Sequence, residues 1–167
     1  KEQMDDYFHT PALYLHPSLG QFAQRLVKKL QAANPELECA FFTNSGSEAN
    51  DLAALIAKNA TGCHDYVALR HAYHGRTLMT MALTGKVTPY KAGFGLSPQG
   101  IFHAQFPNAL HGISVDQSLA SVEHILKCDV GPDDVAAIIV EPVQGEGGFY
   151  VAPPDFLRAL RALCDRH

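Results

Sequence analysis

Residues Phe41 to Asn50 read Phe-Phe-Thr-Asn-Ser-Gly-Ser-Glu-Ala-Asn, and this stretch decides the predicted fold. The apolar run Cys39–Phe42 just before the turn predicts a short buried strand. Beyond the small polar residues, apolar side chains recur at helical spacing: Ala49, Leu52, Ala53, Ile56, Ala57 and Ala60. The chain is therefore predicted to pass from a strand to a helix through a tight turn that contains Gly46.

A turn of this kind leaves free amide N–H groups at a helix N-terminus, where they attract an anion such as phosphate. Gly46 would let a ligand approach the backbone closely. The same residues also fit a capped helix start without any ligand, because Ser45 and Glu48 have capping-box spacing. The stretch is neither a Walker loop nor a dinucleotide fingerprint, because it lacks both Gly-Lys-Ser/Thr and Gly-x-Gly-x-x-Gly.

Helical and extended patterns alternate along the rest of the chain. Strands are predicted at Tyr66–Leu69, Ile101–Ala104 and Val135–Val140, and the last has the unbroken apolar run typical of a strand buried on both faces. Helical patterns occupy five segments: from Pro17 to Asn34, after Ser47, at Thr77–Leu83, at Ser114–Cys128 and after Asp155. This alternation predicts an α/β fold with a mostly parallel sheet flanked by helices. Residues 1–16 are predicted to be an irregular lead-in segment.

The composition narrows the class of protein. With 167 residues, 47% hydrophobic and 18% charged, the chain has the size and balance of a soluble globular domain. With a net charge of -4, the chain lacks the excess positive charge that is typical of proteins that bind nucleic acid. No apolar run approaches the ~20 residues that span a membrane. The four cysteines are widely spaced, which indicates reduced thiols in a cytoplasmic protein.

Three polar, glycine-bearing loops each follow a predicted strand: Asn44–Ser47, His71–Gly75 and Glu141–Gly148. The carboxyl ends of parallel strands lie at one edge of the sheet, and ligands bind at that edge. We therefore expect the three loops to converge on one small molecule.

The second and third loops carry side chains suited to a planar, phosphorylated ligand. Tyr73 offers a ring for stacking, although an aromatic residue packed beneath its own loop is the commoner arrangement. Glu141 directly follows a predicted buried strand, where a carboxylate needs a donor or a cation unless it is solvated. Together with the phosphate turn, these groups suit pyridoxal 5'-phosphate. A metal site at His71 and His74 is not predicted, because no further ligand has metal-site spacing.

Three motifs then point to a family. Asn44–Asn50, Ala72–Thr77 and Glu141–Gly148 resemble, in order and spacing, the motifs of class III aminotransferases. The resemblance extends over nearly the whole chain. Further segments are most similar to the 4-aminobutyrate aminotransferases of that class: Thr84–Lys91, Leu110–Ser114 and Ala136–Asp165. The part before Ala72 is less diagnostic and is also similar to alanine–glyoxylate aminotransferases.

The resemblance implies a type I pyridoxal-phosphate fold, of which this chain would be most of the large, cofactor-binding domain. It also implies transfer of an amino group from an ω-amino acid such as 4-aminobutyrate to a 2-oxo acid, 2-oxoglutarate, by a homodimer. The implied roles are phosphate binding near the turn, ring contacts in the second loop, a residue near the ring's acidic partner, and a substrate gate. The residues that match these roles are Ser45, Gly46 and Ser47; Tyr73 and His74; Glu141; and Glu146.

The sequence departs from the family pattern in one respect. In the family, the aspartate at the ring nitrogen, the Schiff-base lysine and the gate arginine follow the last helix, and none of the seven lysines here matches that motif. We therefore expect residues 17–167 to be a truncated large domain without a catalytic residue of its own. One alternative is a non-catalytic α/β module that binds a phosphate compound or dimerises. Another is alanine–glyoxylate or ornithine-type transamination.

Overall fold

The computed structural model describes residues 17–95 and 97–167. The predicted lead-in segment, residues 1–16, lies outside them. The chain divides into two compact units, with the boundary between Phe42 and Thr43. Within the described residues, no helix combines the length and the apolar character needed to cross a lipid bilayer. The division into a lead-in segment and one partial domain stays a prediction.

The first unit contains one long helix, α1 (Pro17–Gln31), which begins at the predicted proline. Lys28 and Lys29 lie in its last turn, where positive charge complements the helix dipole. The ring of Phe22 packs 5.4 Å from that of Phe42, measured between centroids. No residue of α1 is buried, so its apolar face is not covered by the described residues of this unit.

The strand predicted at Cys39–Phe42 is wrong. The segment forms no regular secondary structure, and Phe41 is 73% exposed. A strand is held by ladder hydrogen bonds to a neighbour, and no described residue supplies a pairing partner for this segment. The apolar composition of the segment therefore led neither to a strand nor to the predicted burial.

The second unit is built on a parallel three-stranded sheet, which confirms the predicted α/β fold. Its strands are β1 (Asp65–Leu69), β2 (Ile101–Ala104) and β3 (Val135–Ile139), in the order β2-β1-β3. The central strand β1 is the most buried. The last strand packs on both faces as predicted, because Val135 and Ile138 join one apolar cluster and Ala136, Ala137 and Ile139 join the other. It is half-buried, not fully buried, because among the described residues it pairs along one edge only.

Helices cover both faces of this sheet. On one face α2 (Gly46–Thr61) packs against β3 and against α3 (Leu78–Leu83). On the other, α4 (Val115–Cys128) packs against β2 and against α6 (Pro154–Arg166). Successive side chains of β1 point to opposite faces of the sheet, so alternate residues pack against the helices on each face. Tyr66 and Ala68 join the cluster beneath α2, and Val67 and Leu69 join the larger cluster that contains Phe106, Val122, Phe156, Leu160 and Leu163.

Several short elements were not predicted. A two-stranded antiparallel hairpin pairs β4 (Val143–Gln144) with β5 (Tyr150–Val151), and the four-residue helix α5 (Gly145–Gly148) lies between the two strands. Two 3-10 turns occur at Ala109–His111 and Pro132–Asp134. Elements of two to four residues are too short to carry a periodic apolar pattern, so no sequence signal announces them.

Gly85 yields a prediction about stability. A Cβ atom at this position would overlap the carbonyl oxygen of Leu69 and lie 2.7 Å from the amide nitrogen of His71. We expect Gly85→Ala to lower the free energy of unfolding by about 1–3 kcal/mol, because backbone at the end of β1 must shift. Urea unfolding followed by circular dichroism measures this change.

The matched control is Gly46→Ala, where an added Cβ meets nothing within 4 Å. This control should change the stability by less than about 0.5 kcal/mol. Equal effects of the two substitutions would show that close packing of the chain after α3 onto the end of β1 does not stabilise the protein.

Candidate functional site

The first loop forms the predicted capped helix start, with one difference. The Oγ atom of Ser45 accepts a hydrogen bond from the amide of Glu48 at 3.3 Å. The Glu48 carboxylate reaches back to the amide of Asn44 at 2.7 Å, rather than to that of Ser45 as in a capping box. Among the hydrogen bonds of the described residues, none uses the amides of Gly46 or Ser47. These two donors are available to a ligand, and the space beside Gly46 is open.

The first and second loops are held together by hydrogen bonds. Ser47 Oγ accepts from the amide of Arg76 at 3.2 Å, and Asn50 Nδ2 donates to the carbonyl of His74 at 2.7 Å. Gly75 lies so close that any Cβ atom there would overlap the Ser47 hydroxyl, and its φ of 136° is one that side-chain-bearing residues rarely adopt. Contact between the two loops therefore requires glycine at this position.

The Glu141 carboxylate joins the second and third loops. Its Oε2 atom accepts from the amide of Tyr73 at 2.9 Å, and its Oε1 atom accepts from the amide of Gly145 at 3.0 Å. The side chain is half-buried, so the alternative of a solvated strand end is excluded. Gln144 adds a bond from Nε2 to the carbonyl of Arg70 at 2.9 Å. The structure thus brings together all three loops that the sequence predicted to converge.

His74 lies inside this cluster and is 6% exposed. Its amide donates to Thr84 Oγ1 at 3.0 Å, whereas its ring Nε2 is buried without a hydrogen-bond partner among the described residues. Burial lowers the pKa of the ring, Glu141 opposes this shift, and His103 adds to it. Because burial dominates, the ring is held in its neutral form, with one buried nitrogen unsatisfied.

Tyr73 and Glu146 meet through a residue that the sequence analysis did not identify. The half-buried ring of Tyr73 lies 4.9 Å from that of Tyr90, with the two planes tilted by 53°. The hydroxyl of Tyr90 donates a hydrogen bond to Glu146 Oε2. Two signals could have pointed to Tyr90: it lies in the segment Thr84–Lys91 that resembles the family, and a loop as long as the one after α3 is usually functional.

The ring pair of His71 and His111 and one sizeable cavity are not part of these contacts. The rings of His71 and His111 stack at 6.1 Å, and the described part of the chain contains no group of three side chains suited to a metal ion. A cavity of about 530 Å³ lies along the outer edge of β3, between residues of α2 and α6 such as Thr61 and Arg161. The loop cluster is therefore the candidate site on the basis of its chemistry, not of its volume.

The comparisons with known proteins agree with a parallel α/β domain that carries such a loop cluster. Residues 1–167 match the family described as Aminotransferase class-III, and the chain belongs to this family. It is 49% identical over its full length to 5-aminovalerate aminotransferase DavT of Pseudomonas aeruginosa, of which it covers 39%. It is 44% identical to 4-aminobutyrate aminotransferase GabT of Escherichia coli, with 92% of this chain and 41% of that protein covered.

Solved structures of transaminases are also similar to this chain. An amine transaminase from an uncultivated Pseudomonas species, in its PLP-bound form, matches 99% of the chain with a TM-score of 0.86 and 27% identity. The taurine:2-oxoglutarate aminotransferase of Bifidobacterium kashiwanohense, in complex with PLP and glutamate, matches 99% with a TM-score of 0.82 and 30% identity. The chain covers 40% and 38% of these two structures, so it spans about two-fifths of the proteins that it matches.

The burial of His74 predicts a dependence of stability on pH. Its pKa in the folded protein is below the ordinary value of 6.5, so the unfolded chain binds this proton more readily. The free energy of unfolding is therefore highest above about pH 6.5, where the ring is neutral in both states. It decreases as the pH falls below that value, because the unfolded chain takes up the proton more readily. We expect His74→Gln to flatten the decrease in unfolding free energy between about pH 7.5 and about pH 5.5.

Urea unfolding at both pH values tests this expectation. Burial also lowers the pKa of His103, so His74→Gln should remove part of the dependence and not all of it. His124→Gln is the control, because this side chain is exposed on α4, and the variant should keep the wild-type dependence. A His74→Gln protein with the wild-type pH dependence would show that the ring is hydrated or paired in solution.

Proposed function

We propose that this chain forms the cofactor-binding part of a pyridoxal-phosphate-dependent aminotransferase. One observation carries the proposal: three loops from separate elements meet at one sheet edge and leave polar groups unused there. Two of these groups are the amides of Gly46 and Ser47, and the third is the buried Nε2 of His74. Membership of the class III aminotransferases supports the same function for this site.

The residues present fit pyridoxal phosphate. The open amides of Gly46 and Ser47 lie at the N-terminus of a 16-residue helix, where the dipole favours a phosphate dianion. Ser45 caps this helix by accepting a hydrogen bond from the amide of Glu48. The half-buried Tyr73 would place its ring against the pyridine, with His74 beside it. When bound, the cofactor supplies an electron sink at the carbon that carries the amino group.

Glu141 has a specific part in this arrangement. Both of its oxygens accept bonds from backbone amides, at Tyr73 and at Gly145. We therefore assign it the role of holding the stacking residue and α5 in place. The earlier expectation from the family resemblance placed it near the acidic partner of the ring, and that position is compatible with this role.

The proposed substrates are an ω-amino acid as donor and 2-oxoglutarate as acceptor. Support comes from the names of similar proteins, a 5-aminovalerate aminotransferase and a 4-aminobutyrate aminotransferase. A structural relative is named as a taurine:2-oxoglutarate aminotransferase, which supports the acceptor. Because the chain spans about two-fifths of these proteins, the proposal concerns the activity of a whole protein to which this domain contributes.

We also propose a homodimeric, cytoplasmic protein. Large apolar side chains are exposed on the described surface, including Leu110 at 83% and Phe149 at 80%, and apolar patches of this kind are typical of subunit interfaces. All four cysteines are free thiols, as expected in a reducing compartment.

Gly46→Val tests the phosphate site directly. An added Cβ at Gly46 meets nothing within 4 Å, so we expect the substitution to obstruct a ligand and to leave the fold intact. We expect the variant to bind pyridoxamine 5'-phosphate about tenfold or more weakly than the wild type, in a titration followed by ligand fluorescence. Tyr73→Ala should cost about 0.5–1.5 kcal/mol beyond lost contact area. Ser47→Ala should be mildest, about 1 kcal/mol in total, since the amide remains.

Two controls accompany this titration. Pyridoxamine without phosphate should bind weakly to the wild type and should be insensitive to Gly46→Val. Gly20→Val introduces the same side chain into open space on α1, and should leave the affinity unaltered. Wild-type affinity in a folded Gly46→Val protein would mean that this turn is only a capped helix start.

A further inference from the structure

The C-terminal part of α4 carries a histidine and a cysteine whose donor atoms lie close together. His124 and Cys128 are four residues apart, so their side chains lie on one face of the helix. The Sγ atom of Cys128 is 3.7 Å from Nδ1 of His124. Both residues are exposed, and Cys128 is a free thiol. The pair therefore presents one sulfur and one imidazole donor to the solvent.

The separation of the two donor atoms matches the geometry of a tetrahedral metal ion. Zn²⁺ binds thiolate sulfur at ~2.3 Å and imidazole nitrogen at ~2.0 Å, and a tetrahedral angle between these bonds places the two donors about 3.5 Å apart. The 3.7 Å between Sγ and Nδ1 is close to that distance. A metal ion can therefore bridge the two side chains without a change in the helix.

Packing of the opposite face of α4 fixes the backbone that carries the pair. Val122 and Ile125 are 0% and 6% exposed and belong to the larger apolar cluster between this helix and the sheet. The amides of Asp129 and Val130 both donate to the carbonyl of Ile125, so the helix is regular to its last residue. Because the two positions are held in place before a metal binds, little conformational entropy is lost on binding.

The end of the helix adds a weak attraction for a cation. The last carbonyl groups of a helix have no partner within it and give its C-terminus a partial negative charge. Asp129 follows Cys128 directly and Lys127 precedes it, so these two side-chain charges offset each other. The dipole of the 14-residue helix remains as the net effect.

We propose that His124 Nδ1 and Cys128 Sγ form a surface site for a thiophilic metal ion of the Zn²⁺ class. Sulfur and imidazole ligands select such ions over Mg²⁺ and Ca²⁺, which prefer oxygen. On binding, the thiol gives its proton to the solvent and both donor atoms bond to the ion, so nothing is oxidised or reduced. Since the described residues contain no group of three suitable ligands, water fills the other positions.

This site is separate from the proposed cofactor site. α4 leads through the turn Pro132–Asp134 into the first residue of β3, so its C-terminus lies at the sheet edge where the parallel strands begin. The second and third loops follow the ends of β1 and β3, at the opposite edge. The inference therefore does not depend on the proposed function, and failure of one leaves the other standing.

A Co²⁺ titration of the reduced chain tests the site. A thiolate bound to Co²⁺ gives a sulfur-to-metal charge-transfer band in the near ultraviolet, and Zn²⁺ should remove this band by displacing Co²⁺. We expect the wild-type chain to show the band and to release one proton per bound metal. Cys128→Ser should abolish the band. His124→Gln should weaken Co²⁺ binding by about tenfold or more, since even changes to groups behind the ligands cost that much.

Two variants with unchanged far-ultraviolet circular dichroism serve as controls. Cys39→Ser removes another exposed thiol, one that makes no hydrogen bond to a histidine among the described residues, and should keep the band. His124→Cys restores a second soft ligand at the same spacing and should retain Co²⁺ binding. Mg²⁺ should not compete. A band that is absent from the wild type, that persists in Cys128→Ser or that is unaffected by His124→Gln would overturn the inference.

Discussion

The interaction on which the site depends is the pair of hydrogen bonds from the amides of Tyr73 and Gly145 to one carboxylate, that of Glu141. A half-buried carboxylate is costly unless donors satisfy it, and here both oxygens are satisfied by backbone. The consequence is geometric. The loop after β1 and the segment that leads into α5 are fixed to the same side chain, so the proposed stacking ring and α5 keep a constant relation to one another.

Two glycines allow the loops and the chain after α3 to approach their neighbours closely. Gly75 allows the second loop to approach Ser47 at the start of α2, and Gly85 allows the chain after α3 to return against the end of β1. Each contact brings backbone nearer than any side chain permits. The hydrogen bonds between the loops each join a side chain to a backbone group, and the helix-start amides and the ring nitrogen of His74 take no part in them.

The long loop after α3 is part of the candidate site. A loop of this length inside a compact domain is usually functional. Lys91 anchors the loop at α3, and Tyr90 extends from it to Tyr73 and Glu146. In the proposed function, the first two loops bind the phosphorylated ring of the cofactor. The long loop and α5 contact the second loop through Tyr90 and Glu141.

The sequence alone determined what local physics controls. Helical periodicity and capping residues located α1, α2, α4 and α6, and the position of the second and third loops after parallel strands predicted that these two converge. The first loop joins them although no strand precedes it. Tertiary structure decided whatever depends on a distant partner. Cys39–Phe42 has the composition of a strand but no pairing neighbour in the described chain, and β3 is half-buried because it pairs along only one edge. The bond from the Tyr73 amide to Glu141 and the bond between Tyr90 and Glu146 join residues 68 and 56 positions apart. No local pattern encodes such pairs, because they form only when the whole sheet and its loops are packed.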